Sequence, residues 1–333
     1  MNTRKRRRFA FLVAALIVVV VGVLHWYRTG LQPTGAAMAV VTIDEGTTPD
    51  EIASTLKRQD LIRSERAFTW HVRLNGLAPE IKSGRFQLSG ERSSEEIARA
   101  LTEESALATR FTIPEGLTQY AVAERLKQLG VADAAEFREL KAADFPEYDF
   151  LRVLPDGATL EGYLFPETYA MPLPGTSAHD VAKVMLDQFR EELAGFRNAV
   201  ETSGRSIHEI VTLASIVEEE VRTTEDRRLV AGVLFRRLEE DIRLDIDATV
   251  RYALDKPSDA LTASDLDSDD PYNTRRFKGL PPGPIANPGT ESILAVLEPT
   301  DSPYLFYLSA ADGTTIFART LEEHNANVEE YLR

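Results

Sequence analysis

The sequence predicts an α+β protein with one apolar N-terminal helix, a small strand-helix-helix-strand module and a larger mixed α/β domain. Three observations lead there: nineteen consecutive residues without a formal charge near the start, a strand-turn-helix pattern that occurs twice, and a change after about residue 160 to long amphipathic helices and Pro-rich loops. Of the 333 residues, 43% are hydrophobic and 27% charged, the composition of a folded chain. At ~100 to 200 residues per domain, the length suits two or three domains. There is no Cys, which excludes a disulfide framework, Cys-ligated metal sites and thiol catalysis.

The first element is Phe9 to Tyr27, FAFLVAALIVVVVGVLHWY. As a helix at ~1.5 Å per residue it extends about 28 Å, which crosses the hydrocarbon core of a bilayer. Arg4, Lys5, Arg6, Arg7 and Arg8 directly precede it and favour a cytoplasmic N-terminus, while Trp26 and Tyr27 suit the opposite interface, with His25 beside them. A cleaved signal peptide is the competing reading, because Ala37-Met38-Ala39 has the A-x-A form; the apolar run is longer than the ~7 to 15 residues of a signal core. The expected layout is a basic tail at 1–8, a single span at 9–27, a linker at 28–39 and a body outside the cytoplasm. Five of the 38 basic residues stand in that tail, so the body is more acidic than the total of −15 implies. Such a body repels phosphate backbones, and no nucleic-acid partner is expected.

VTIDEGTTPDEIASTLKRQDLI from Val41 recurs as FTIPEGLTQYAVAERLKQLGVA from Phe111, with eight of 22 positions identical. Each copy reads as an alternating strand, a Gly turn at Gly46 or Gly116, a Thr N-cap at Thr48 or Thr118, and an amphipathic helix. The first continues through a helix at Ser64 to Asn75, a strand in IKSGRFQLSG and a helix at Ser94 to Leu101. This β-α-α-β order over 40–106 is similar to a LysM module, a small peptidoglycan-binding fold; a spacer or docking module is the alternative. A second small strand-helix module is expected at 107–159.

Beyond residue 160 helices are expected at Ser177 to Ala194, Ser206 to Val221 and Glu225 to Glu240, with N-caps at Ser177 and Thr224. A helix at Thr290 to Glu298, strands at Tyr304 to Ser309 and Thr315 to Ala318, and a helix from Thr320 follow. In IVTLASIVEEE, helical spacing puts Ile210, Leu213, Ala214, Val217 and Val221 on one stripe, flanked by Glu218 and Glu220 with Glu219 opposite. A carboxylate at such an edge is partly desolvated, which suits a proton donor near neutral pH; a solvated acidic helix end is the bland alternative. The period does not choose between Glu218 and Glu220.

Other polar clusters stand in loops. EGYLFPETY presents Glu161, Tyr163, Glu167 and Tyr169, and SDDPYNTRRFKGLPPGPIANPG presents Tyr272, Asn273, Thr274 and Asn287 among prolines that would fix its shape. Asp245 and Asp247 in LDIDAT would share a face if that segment were a strand. His324 has polar neighbours, but the histidines lack metal-ligand spacing, and no phosphate-loop, dinucleotide or G-x-S-x-G pattern occurs. No metal or cofactor is expected.

Taken in order, EGYLFPETY, LASIVEEE, RLDIDATVRYAL, DPYNTRRFKGLPPGPIANPG and ARTLEEHNANVEEY resemble the endolytic murein transglycosylase family, also called YceG-like, over roughly residues 40 to 333. The resemblance implies an inner-membrane protein whose catalytic domain, 160–333, cleaves nascent peptidoglycan strands internally and associates with peptidoglycan synthases. It also implies that Glu218, the first glutamate after the ASIV run, is the acid that cleaves the MurNAc-β-1,4-GlcNAc bond and forms a 1,6-anhydro end. By the same match Glu161, Tyr163, Glu167 and Tyr169 would line the sugar cleft, Tyr272, Asn273, Thr274 and Asn287 would bond acetamido groups, and His324 and Asn325 would orient them. Ala248 and Arg236 depart from the family pattern, which has Pro and Asn there. A non-catalytic peptidoglycan-binding scaffold and a two-carboxylate muramidase are the rival readings.

Overall fold

The computed structural model describes residues 3–103, 107–172, 176–256, 260–310 and 312–332, with the backbone alone for 3–10. The side chains of the basic cluster and the end of the expected 40–106 module therefore lie outside the described residues. The chain forms two compact units, Met1–Arg110 with Ala170–Thr176 and Phe111–Tyr169 with Ser177–Arg333. The architecture is mixed α/β.

The smaller unit begins with α1 (Thr3–Gly30). Its segment Phe11–Gly30 has a mean hydropathy of 2.1, is exposed from Phe11 to Trp26, and is long and apolar enough to cross a membrane. Nothing breaks the helix at the expected linker start, residue 28, so it runs on to Gly30, where an added Cβ would lie 2.7 Å from the Ala67 Cβ. The segment that follows is pinned down. The Ser94 N–H donates to the Leu31 carbonyl (2.9 Å), Gly35 to Gly90 (2.8 Å), Gly90 to Ala36 (3.1 Å), and Arg63 Nε to the Pro33 carbonyl (2.8 Å).

β1 (Ala39–Ile43) alternates buried Val41 and Ile43 with outward Val40 and Thr42. Across α2 (Pro49–Arg58) and α3 (Glu65–Leu74) the chain returns as β2 (Gly84–Leu88), antiparallel to β1 with Ala39 opposite Leu88, and then forms α4 (Ser94–Glu103). Thr48 and Glu51 make a reciprocal capping box that starts α2. Ile52, Leu56, Phe68, Val72, Phe86, Ile97 and Leu101 fill the space between sheet and helices. Each such burial contributes about 1.5–3 kcal/mol.

β3 (Ala108–Thr112) pairs with β4 (Thr168–Pro172), and the boundary between units falls inside both strands. The larger unit continues through α5 (Gln119–Gln128), capped by Thr118, α6 (Ala134–Glu139), α7 (Ala178–Ser203), α8 (Ile207–Glu220) and α9 (Thr224–Glu239). Then come α10 (Asp247–Ala253), the single turn α11 (Ala263–Leu266), α12 (Thr290–Leu297), the antiparallel hairpin β5 (Phe306–Ser309) and β6 (Thr315–Ala318), and α13 (Leu321–Tyr331). At the centre α12 packs against both α8 and α9, and Tyr163, Phe150 and Phe189 form an aromatic cluster nearby.

Three expectations are corrected. α7 continues nine residues past Ala194, because Gly195 is tolerated inside it and the left-handed Gly204 (φ 65°) is what ends it. The N-cap of α9 is Thr223, whose hydroxyl accepts from the Asp226 N–H; Thr224 is the first helical residue. LDIDAT is no strand: Asp245 is left-handed (φ 56°) and Asp247 opens α10, so the two share no strand face. Arg227 and Arg237 of α9 are buried.

Candidate active site

α8 is built to be central. Ser206 and Glu209 form its capping box, and every residue from Ile210 to Val217 is buried, so the apolar surface surrounds the helix where periodicity predicts a stripe. Val221 is extended (φ −145°, ψ 157°), and the helix stops on its three glutamates. Successive helical side chains point about 100° apart, so the three meet different surroundings.

Glu218 is enclosed, its side chain 5% exposed. Oε1 accepts from Arg227 Nη2 of α9 at 2.8 Å, and Oε2 accepts from the Gly289 backbone N–H at 3.0 Å, just before α12. The same guanidinium nitrogen lies 3.5 Å from Glu115 Oε1, and Arg227 Nε is buried without a partner among the described residues. Gly116 (φ +81°) closes the remaining side, its missing Cβ 3.9 Å from Glu218 Cγ and 3.2 Å from Glu219 Oε1. Burial and the charge of Glu218 push Glu219 upward. Glu220 is pushed up to about 7 by burial, against the opposing bond that Tyr307 Oη donates to its Oε2 at 3.0 Å.

The turn of the second repeat is tied to the Pro-rich loop. Gly116 N–H donates to the Asn287 carbonyl (2.9 Å) and Asn287 N–H to the Leu117 carbonyl (3.0 Å). The loop in turn is fixed to α8: Ile285 N–H donates to Ser215 Oγ (3.0 Å), and His208 Nε2 donates to the Pro282 carbonyl (2.9 Å). Since that carbonyl only accepts, Nε2 carries a proton, and in the neutral ring Nδ1 then accepts from Tyr163 Oη at 3.0 Å.

Alongside runs a groove of about 1030 Å³ whose lining includes Gly116, Gln119, Tyr120, Glu161, Glu219, Arg251 and Tyr252. Glu161 is its most buried carboxyl. It accepts from the Gln119 N–H (3.0 Å), Asn287 Nδ2 (3.3 Å) and Tyr252 Oη (3.4 Å), yet burial outweighs these donors and pushes it up to about 8. The folded chain thus holds a proton that the unfolded chain, with an ordinary value of 4.5, releases. The stability contributed is complete below pH 4.5 and lost as pH rises to about 8. Glu220 adds in the same direction up to about 7. The unfolding free energy from urea titrations is expected to be lower at pH 8 than at pH 5 by on the order of a few kcal/mol, and Glu161→Gln to remove a large part of that difference. An unchanged slope in the variant would mean Glu161 is ionised throughout.

The other sequence-derived residues divide by what they bond. Asn273 donates to the Leu266 and Ser268 carbonyls and accepts from Arg275 N–H; Thr274 bonds Ile246 N–H and Thr249 Oγ1; Asn287 accepts from Leu164 N–H and donates to Leu117. These polar groups hold the loops together. Tyr163 and Tyr169 are buried, the latter donating to the Phe165 carbonyl (2.5 Å), while Glu167 is exposed with Oε1 on the Thr168 N–H. The ring of Tyr272 lies 5.0 Å from that of the groove residue Tyr252, tilted by 49°. His324 stacks on Phe306 with Nδ1 buried and unpartnered among the described residues, and Asn325 is exposed on α13. Sequence reasoning missed Arg227, Glu115 and Gly289. The repeat marked the EG turn as special, but a backbone N–H carries no side-chain signal.

An enclosed carboxylate between an arginine and a backbone donor, beside an open groove, is the kind of group that enzymes use for general acid–base transfer. The model of the YceG-like family matches residues 41–330, and the chain belongs to that family. Among its relatives is the endolytic murein transglycosylase of Bacillus subtilis (strain 168), 35% identical over 311 residues, covering 88% of this chain and 84% of that protein. The protein of the same name from Streptococcus pneumoniae serotype 2 (strain D39) is 30% identical over 322 residues, 88% of this chain and 58% of that longer protein. A 2.6 Å crystal structure of a YceG-like protein from Listeria monocytogenes matches with a TM-score of 0.59 at 32% identity, covering 87% of this chain and 99% of that one.

Proposed function

We propose that this protein is a membrane-anchored endolytic lytic transglycosylase of peptidoglycan, with Glu218 as its single acid and base. The observation that carries the reading is Glu218 itself, enclosed at the end of α8 and held on both oxygens by Arg227 and Gly289. The protonated carboxyl donates its proton to the glycosidic oxygen as the bond from MurNAc C1 breaks. The muramoyl 6-hydroxyl oxygen then bonds to C1, and its proton passes to the Glu218 carboxylate, which restores the acid. No water is consumed, so no second carboxylate is required. Arg227 orients the carboxylate, and the groove that reaches Glu161 and Glu219 takes the glycan strand.

In the same reading α1 spans the cytoplasmic membrane with the basic tail inside and the body in the periplasm or its equivalent. The β-α-α-β part of the smaller unit serves as a LysM-like glycan holder, and the enzyme meets peptidoglycan synthases where strands are terminated. The likeness to proteins named endolytic murein transglycosylase supports the activity; the apolar helix supports the anchor.

The test is to treat uncrosslinked glycan strands with the full-length protein in ¹⁸O-labelled water and to weigh the new ends. Anhydro ends without ¹⁸O are expected. Reducing ends carrying ¹⁸O would establish a muramidase instead, and intact strands would favour a binding scaffold.

A further inference from the structure

α3 carries an unusual outward face. Arg66, Trp70, Arg73 and Leu74, spaced i, i+4, i+7 and i+8, share one side of the helix and are exposed, Trp70 to 50% and Leu74 to 74%. Elsewhere the same helix buries Ala67, Phe68 and Val72 in the core. A large indole and a leucine displayed with two arginines form the pattern of helices that lie in a membrane interface.

The position of this face fixes what covers it. Trp26, near the outer end of the apolar helix, meets Trp70 edge to face with ring centroids 5.9 Å apart, and the next residue, Tyr27, bonds His71 Nδ1 at 3.1 Å. Aromatic rings at the end of a span sit at headgroup depth. Trp70, in contact with one of them, stands at that depth as well, and Leu74 lies one turn further along the same face. Arg66 and Arg73 there match lipid phosphates; Arg73 also pairs with Asp50 of α2 at 2.5 Å, and Glu65 is the one acid on α3 itself. We propose that α3 rests on the outer surface of the bilayer that α1 crosses, with Trp70 and Leu74 inserted among the headgroups. The proposal rests on α1 being a span, and it adds a second membrane contact made by the folded module itself.

The chain lacks Cys, so single labels can be placed without background, and it has two Trp, so one substitution isolates the other. The full-length protein carrying Leu74→Cys or Ile17→Cys, each with a nitroxide, is reconstituted in phosphatidylethanolamine–phosphatidylglycerol vesicles, and collisions with oxygen and with a nickel chelate are compared. At position 74 the oxygen-to-nickel ratio is expected to be several-fold above that of a free nitroxide in water and below that at position 17. In Trp26→Phe, emission from Trp70 is expected to be quenched by lipids brominated near the headgroup end of the acyl chain. An aqueous ratio at 74 with a bilayer ratio at 17 overturns the surface contact while the span stands. An aqueous ratio at 17 removes both. A label at 74 reached by neither reagent means a protein covers the face, which also overturns the proposal; unquenched Trp70 does so without reliance on the labelled variant.

Discussion

Glu218→Gln is expected to reduce cleavage of glycan strands by at least about a thousandfold, since general acid–base transfer contributes roughly 10²–10⁴ and here one residue performs both transfers. The amide keeps the size of the side chain, and its oxygen can still accept from Arg227 or from Gly289, but not from both. One bond in the enclosed site is lost, and Glu115, half exposed and 3.5 Å from Arg227, remains as a counter-ion. Folding is therefore expected to survive with a cost of about 1–3 kcal/mol. The check is a product assay together with a thermal melt of the same preparation. A folded variant that still cuts would remove Glu218 from the chemistry, and full function of the variant in cells would favour a scaffold.

The largest expected effect on stability is at Gly162, next to Glu161. Its φ is +87°, and an added Cβ would lie 2.4 and 2.5 Å from Pro284 and 2.8 Å from Val211 Cγ1. Strain at such a φ costs about 1–3 kcal/mol and overpacking a further 1–3, so Gly162→Ala is expected to lower stability by about 2–6 kcal/mol. Gly157 provides the contrast, with φ +79° and open space around the added carbon, so Gly157→Ala bears the strain alone. Denaturant midpoints of the two variants separate the contributions. Equal midpoints would mean that the Pro284 loop yields freely and is not the rigid wall that seats α8.

Local patterns made much of the fold legible. Thr48, Thr118 and Ser177 announce their helices because an N-cap is a contact within four residues, and the β1 alternation shows its buried face directly. Patterns were silent where the decisive partner is remote. The period of α8 leaves Glu218 and Glu220 equivalent; one faces Arg227 and Gly289, the other Tyr307, and these contacts span 9, 71 and 87 residues. The polarity of the loop residues Asn273, Thr274 and Asn287 was visible, whereas the carbonyls and N–H groups they satisfy were not. Arg227 was hidden for the converse reason: a charge on a helix reads as solvated until a buried acid is found beside it.

The segment after α1 has a kinetic consequence. A flexible tether of eight residues, the length from Leu31 to Met38, would let its load wander over about 5–6 Å × √8, near 16 Å. Here Leu31, Pro33, Gly35 and Ala36 are all bonded to the module, so that excursion is removed. With α1 in a bilayer, the module keeps a constant height and tilt and can only spin about the helix axis and drift in the plane. Its search for a target is then two-dimensional, so targets outside a thin layer are never sampled, however close they lie along the membrane normal.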